Sequence, residues 1–392
     1  MNVTSESVAH RTAEQSEEIG APANGEASNR VRLAIQQPAL PAYRVPLFRE
    51  LAQRGKVQLS VHYGSQEPAL LNAEPDGFRG EMRRALVVRV PRLGELMWQP
   101  DQWRLAGSTD IDVLVLEWNS RFLSMLPASK RPARWRDWLR ALPARMADSV
   151  VVYSPSPLAA LTRAGVSAKK IVVAPNGLDF SAIQRARRSA IDNSQASEAL
   201  RQHHGLVAGA TLLHIGRLKP ANLPELIVQA AAQASSQLPD LRVIFIGEGD
   251  AEKSRLEALA KSLGIGDRLV FAGAIYDEAR LAVWMQLADV LIYPQNAGLS
   301  IIHGFNYGLP AIICRPMNNH GPEAAMVVDG ETGLVVSKPA VPELVQAVET
   351  LLGSPALRAH CSARALLVAE QQCNTTRMAE AFESLIQLTG RA

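Results

Sequence analysis

From Thr211 onward the chain repeats one unit: a short apolar run, a glycine-bearing turn, then a segment whose apolar residues recur at helical spacing. TLLHIGRL is followed by LPELIVQAAAQASSQ, LRVIFIGEGD by EKSRLEALAKSLG, DRLVFAGA by YDEARLAVWMQLA, and DVLIYPQ by a brief helical stretch before AIIC. Apolar runs rich in β-branched residues and bounded by turn residues predict strands, and the 3.6-residue spacing predicts helices. Strands separated by helices cannot pair as hairpins. The crossover sets them parallel in one sheet, with helices on its faces.

The first half shows the same rhythm less regularly. VRLAIQ (31–36) is an opening strand, VPLFRELAQRG a helix stopped by Gly55, and VQLSVHYG (57–64) an alternating strand. ALVVRV (85–90), IDVLVLEW (111–118) and VVVYSP (150–155) read as further buried strands of that sheet. SPLAALTRAGV reads as a helix and KIVVAPNGLD (170–179) as a strand ending in a turn. A polar stretch, 181–205, separates the two halves. The expectation is an α/β protein of two Rossmann-like domains facing a cleft, at residues 31–178 and 179–375. Ligand is expected outside the carboxyl ends of the strands. The amphipathic TTRMAEAFESLIQL begins a terminal helix (376–392) placed back across the cleft.

With 392 residues, 47% of them hydrophobic, the chain can fill two such cores. A net charge of +3 lacks the clustered basic excess of a nucleic-acid binder. Three cysteines provide no disulfide framework and suit a reducing compartment. Residues 1–30 are polar and slightly acidic, without the apolar stretch of a signal peptide, and read as a disordered tail. No run reaches the roughly 18 apolar residues of a membrane span. A cytoplasmic location is expected.

The chemistry concentrates in YPQNAGLSIIHGFNYGLPAIICRP (293–316). Gly298 sits at a strand-to-helix turn. Leu299 and Ser300 open the helix, and its exposed N–H groups with the positive end of its dipole suit a diphosphate. His303 lies one turn in, and Gly308 with Pro310 ends the helix. GRLKPAN follows another strand: Gly216 turns the chain, and Arg217 or Lys219 can neutralise phosphate charge. Gly247 in GEGD and His320-Gly321 in HGPEAAMVVDGETGLVV supply further turns. One glycine loop alone is as readily an ordinary turn. Four at strand ends of one domain converge on a ligand edge.

These pieces resemble the family-4 glycosyltransferases (glycosyl transferases group 1) of the GT-B fold, through KIVVAPNGLD, HIGRL, LRVIFIGEGD, DRLVFAGAI, LADVLIYP, GLSIIHGFNYGLPAII and PEAAMVVDGETGLVV. QQPALPAYRVPLFRELAQRG and ADSVVVYS carry a fainter likeness in the first half. The resemblance implies sugar transfer from a nucleotide-diphosphate sugar bound by the second domain to a glycan or lipid-linked acceptor bound by the first. It further implies retention at the anomeric carbon, no metal or other cofactor, and a place in bacterial polysaccharide or glycoconjugate assembly. The implied donor-binding positions are Gly216, Arg217, Lys219, Asn222, Gly247, Ala274, Gly298, Leu299, Ser300 and His303. The reaction centre falls near Gln295 and Asn296.

Several positions depart from the family pattern. Its two glutamates, eight residues apart, correspond to Gln295 and His303, as in a subset carrying His at the second position. Its phosphate-binding lysine corresponds to Asn222, with Lys219 nearby. The interval NSRFLSMLPASKRPARWRDWLRALPARM is short and lacks the histidine that related enzymes place there. His62, at a strand end, is the remaining first-domain candidate, against a plain core or surface histidine. Lys130, five arginines, Trp135 and Trp138 within 130–145 read either as a basic segment on an anionic membrane or as a packed surface helix. Two rival functions remain at this stage: a catalytically weak homologue that binds a nucleotide or partner, and a nucleotide-sugar epimerase of the same fold.

Overall fold

A computed structural model describes residues 30–64, 72–83, 86–90, 94–98, 101–116 and 142–388. The expected N-terminal tail and most of the basic segment lie outside the described residues. In chain order the first half contributes β1 (Val31–Gln37), α1 (Val45–Gln53), β2 (Val57–Tyr63), β3 (Arg79–Met82), β4 (Leu86–Val90), β5 (Gly94–Trp98), α2 (Asp101–Ala106), β6 (Val113–Leu116), α3 (Leu142–Met146), β7 (Val150–Val152), α4 (Leu158–Arg163) and β8 (Ile171–Val173). The second half follows with α5 (Phe180–Asp192), α6 (Ser194–His204), β9 (Thr211–Ile215), α7 (Pro224–Ala234), β10 (Arg242–Ile246), α8 (Asp250–Ser262), β11 (Leu269–Gly273), α9 (Glu278–Met285), β12 (Val290–Tyr293), α10 (Leu299–Asn306), β13 (Ala311–Cys314), β14 (Gly333–Val336), α11 (Val341–Gly353), α12 (Pro355–Gln371) and α13 (Thr375–Leu388).

The second sheet runs β11-β10-β9-β12-β13-β14, and every neighbouring pair is parallel. Its strand residues alternate between two cores. Leu213, Ile244, Leu291 and Ile313 pack with α5, α9, α10 and α12. Leu212, Val243, Val290 and Ile312 pack with α7, α8 and α11. Burial on both faces is why these strands are continuous apolar runs. The order reverses between β9 and β12, which opens a crevice at the carboxyl edge there.

The first sheet runs β3-β2-β1-β6, also parallel. Two expectations are corrected. ALVVRV does not join this sheet: β4 pairs antiparallel with β5 as a separate hairpin. An apolar run announces a strand without naming its partner. VVVYSP does not join the first sheet either: β7 pairs parallel with β8 in a separate two-stranded sheet. The polar stretch 181–205 folds as two helices, α5 and α6, anchored by few apolar residues such as Ile183 and Ala190. The Asp179 side chain caps α5 by accepting from the Ala182 N–H at 2.9 Å.

The chain crosses between the two halves twice, and the crossings lie side by side. Leu178 N–H donates to the Cys373 carbonyl at 3.2 Å, and Thr375 N–H donates to the Leu178 carbonyl at 3.1 Å. Beyond the second crossing α13 enters the first core, where Met378, Ala379, Phe382 and Ile386 join Leu47, Phe48 and Leu51 of α1. Lys56 and Arg54 fasten it through Glu383, at 2.9 and 3.5 Å.

Candidate active site

Three strand-end loops of the second sheet are zipped together by backbone bonds. Gly216 N–H donates to Ile246 O at 2.8 Å, Leu218 N–H to Glu248 O at 2.7 Å, and Gly247 N–H to Gly273 O at 2.8 Å. The approach needs glycine. Gly247 has φ of 151°, and a Cβ there would fall on the Gly216 carbonyl oxygen. Arg217, Lys219 and Ala274 stand exposed on these loops. Beside them the exposed Tyr276 phenol donates to Glu248 at 2.5 Å. That bond raises the tyrosine's pKa, and the nearby Arg217 charge opposes the shift.

The fourth loop, between β12 and α10, is tied to the first. Asn296 adopts a left-handed φ of 56°, which asparagine tolerates better than most residues. Its amide donates to Ala221 O at 2.7 Å and to Asn222 Oδ1 at 3.1 Å. Asn222 in turn donates to Arg217 O at 2.7 Å. Both asparagine amides therefore bond within the loops, and Asn222 places no cation here. Gln295 is half-buried beside them.

Gly298 precedes α10, so the backbone of Leu299 and Ser300 forms the helix's first turn. His320 braces this turn. Its Nδ1 accepts from Ala297 N–H at 3.1 Å, and its Nε2 donates to Cys314 O at 2.7 Å. Those two contacts require the neutral ring, and burial pushes its pKa down in agreement.

His303 is placed one turn into α10, where its Nε2 lies 2.9 Å from Glu278 Oε1. The Tyr307 hydroxyl donates to the same oxygen at 2.6 Å. Burial alone would raise the Glu278 pKa, but the His303 hydrogen bond and charge outweigh it, and the net shift is downward. A carboxylate thus stands beside the position of the family's second glutamate, brought in from the start of α9. Nothing in the local sequence around Glu278 announces it.

A second carboxylate was equally hidden. Glu323, only 6% exposed, accepts through Oε1 from Asn176 Nδ2 at 2.5 Å. Asn176 Oδ1 accepts from Arg44 Nη2 at 2.8 Å. Arg44, just before α1, also lies over the Tyr153 ring at 5.0 Å. The relay runs from the first half, through the crossing segment, to the turns at Gly298 and Gly321. KIVVAPNGLD and HGPEAAMVV carry two of its members, but their spacing reveals no contact.

His62 is buried near the end of β2, beside the first residue of α2. Its Nδ1 lies 3.6 Å from both Glu81 Oε2 and Asp101 Oδ2. Burial pushes its pKa down, against the pull of those carboxylates. His214 of HIGRL is a core residue whose Nδ1 meets Ile292 O at 3.1 Å, and burial lowers its pKa to about 4. Among the described residues no cluster of three or more His, Cys, Asp or Glu could hold a metal ion. Likewise no described helix is long and apolar enough to cross a membrane.

Residues 196–367 match the family model described as Glycosyl transferases group 1. A D-inositol 3-phosphate glycosyltransferase 2 of Catenulispora acidiphila is 32% identical over 157 residues, 37% of this chain and 36% of that protein. An alpha-D-kanosaminyltransferase of Streptomyces kanamyceticus is 27% identical over 170 residues, covering 43% and 42%. The chain thus spans less than half the length of these curated relatives. Anabaena HepE, solved in complex with UDP and glucose, superimposes with a TM-score of 0.64 at 15% identity, over 91% of this chain and 99% of that one. WaaG, a glycosyltransferase involved in lipopolysaccharide biosynthesis, does so at 0.60 and 16%, over 92% and 100%. The fold is GT-B.

Proposed function

We propose that the protein is a glycosyltransferase that takes a sugar from a nucleotide-diphosphate donor and transfers it to a hydroxyl of a glycan or lipid-linked acceptor. The observation that carries this reading is the convergence of four glycine-turned loops on one sheet edge, zipped at Gly216, Gly247 and Gly273, with Arg217 and the α10 N-terminus on the same edge. The N–H groups of the Gly298 turn and the Arg217 guanidinium would hold the diphosphate. The same groups face the negative charge that grows on the diphosphate as the glycosidic bond breaks, so they favour the transition state over the bound donor. His303 and Glu278 would recognise the ribose hydroxyls, the ring donating or accepting according to tautomer and the carboxylate accepting. The family match over 196–367 and the names of the relatives support a transferase, and the neighbour bound to UDP and glucose supports the donor class. Retention at the anomeric carbon, a role in bacterial polysaccharide assembly and contact with a membrane through 130–145 extend the same proposal.

The experiment is a thermal-shift and calorimetric screen of UDP, GDP, dTDP and their glucose or mannose conjugates. A ligand bound only by the folded chain raises its melting temperature. No shift with any of them removes the reading.

One observation favours a second reading, nucleotide binding without turnover. Asn222 bonds to Arg217 O where the family pattern has a lysine, and Gln295 is neutral where it has a glutamate. Donor binding with neither hydrolysis nor transfer, and turnover gained by Gln295→Glu with Asn222→Lys, would establish it.

A further inference from the structure

The sheet edge leaves one charged group unexplained. Glu323 is buried, yet its carboxylate is not paired directly with a cation. Asn176 takes Oε1 at 2.5 Å and passes the connection on to Arg44 at 2.8 Å. A neutral amide between guanidinium and carboxylate fixes the orientation of the acid without an ion pair. The other oxygen, Oε2, reaches the two glycine turns of the donor edge. It lies 2.6 Å from where a Cβ of Gly321 would be and 3.9 Å from that of Gly298. Gly321 is itself stitched to the α10 turn, its N–H donating to Ala297 O at 2.6 Å. Any side chain on Gly321 would fill the place this oxygen occupies.

We propose that Glu323 is the carboxylate that holds the hydroxyls of the donor's sugar, and that Asn176 and Arg44 are its positioning residues. The proposal rests on the nucleotide-sugar reading above. A carboxylate beside the Gly298 turn repels a diphosphate and attracts hydroxyl donors, so the group it serves is the sugar beyond the phosphates. The location agrees. Asn176 belongs to the crossing segment and Arg44 to the first half, so Glu323 stands at the junction of the two domains. A sugar handed from a donor on one domain to an acceptor on the other has to sit there. The arrangement also places a negative charge near the reacting sugar of a chain that carries Gln295 where its family pattern has glutamate.

The test compares each nucleoside diphosphate with its sugar conjugate by calorimetry on the full chain: UDP with UDP-glucose, GDP with GDP-mannose, dTDP with dTDP-glucose. Glu323→Gln keeps an oxygen that can accept from Asn176 but loses the charge. For the pair that wild type binds, it is expected to weaken the sugar conjugate by about ten- to a hundredfold, the scale of a hydrogen bond to a charged group, and to leave the nucleoside diphosphate within about twofold. Glu323→Asp keeps the charge but draws it back by one methylene. It is expected to shift the same ratio in the same direction, and it serves if the glutamine variant does not fold. Equal losses for both ligands would make Glu323 a strut between domains and overturn the proposal, as would no loss for either. Binding of none of the three pairs by wild type would instead overturn the donor reading itself.

Discussion

Replacing Gly247 by alanine tests how tightly the zipped loops of the second sheet are built. Two terms add. At φ of 151° an L-residue is strained by about 1–3 kcal/mol. The new Cβ also falls on the Gly216 carbonyl oxygen, a backbone atom that moves only with its loop. That movement loosens the two backbone bonds made by the Gly216 loop, Gly216 N–H to Ile246 O and Leu218 N–H to Glu248 O, each worth about 0.5–1.5 kcal/mol. The expected loss is about 2–6 kcal/mol in urea denaturation. Gly264→Ala is the internal standard: its φ of 74° is also left-handed, but a Cβ there meets nothing within 4 Å, so about 1–2 kcal/mol is expected. Gly264 closes α8 at the opposite edge of the sheet, so only Gly247→Ala should also weaken nucleoside diphosphate binding. If the two variants lose the same stability, the clash term is absent and the account of the zipped loops is wrong.

Arg217→Ala should weaken nucleoside diphosphate binding by about 1.5–3 kcal/mol, and unchanged affinity in calorimetry removes Arg217 from the site. The buried His214, with its pKa lowered from 6.5 to about 4, binds fewer protons folded than unfolded between those values, so stability falls as pH drops through that window. Going from pH 7 to pH 5 should remove about 2 kcal/mol through this group, and His214→Leu should flatten that part of the denaturation profile. Phe382→Ala, in the apolar face of α13, should destabilise the first domain by about 3–5 kcal/mol, with amide exchange rising in β1 and β2; protection unchanged there would detach α13 from that core.

What the sequence disclosed follows from the range of each interaction. Strands β9 to β13 and their helices were legible because period and turn residues are local signals. The turns at Gly216 and Gly247 were legible because a glycine after an apolar run marks a conformation other residues avoid, here φ of 147° and 151°. The partner of β4 was not legible, since an apolar run pairs equally well with either neighbour. Helices α5 and α6 hid behind polar composition, because a helix resting on a few apolar contacts is otherwise free to be charged. The two carboxylates were invisible for a different reason. Glu278 meets His303 across 25 residues, and Glu323 meets Asn176 across 147, distances at which no spacing rule operates.

The placement of α13 bears on how the chain comes to be folded during synthesis. The ribosome delivers β1, α1 and β2 first, but Phe382 and Ile386, which cover α1 in the finished core, emerge more than three hundred residues later. Until then the second domain can close on its own strands and helices, while the first presents the apolar face of Leu47, Phe48 and Leu51 to whatever surrounds it. The domain begun first is therefore the one finished last, and its nascent surface is a natural landing place for a chaperone.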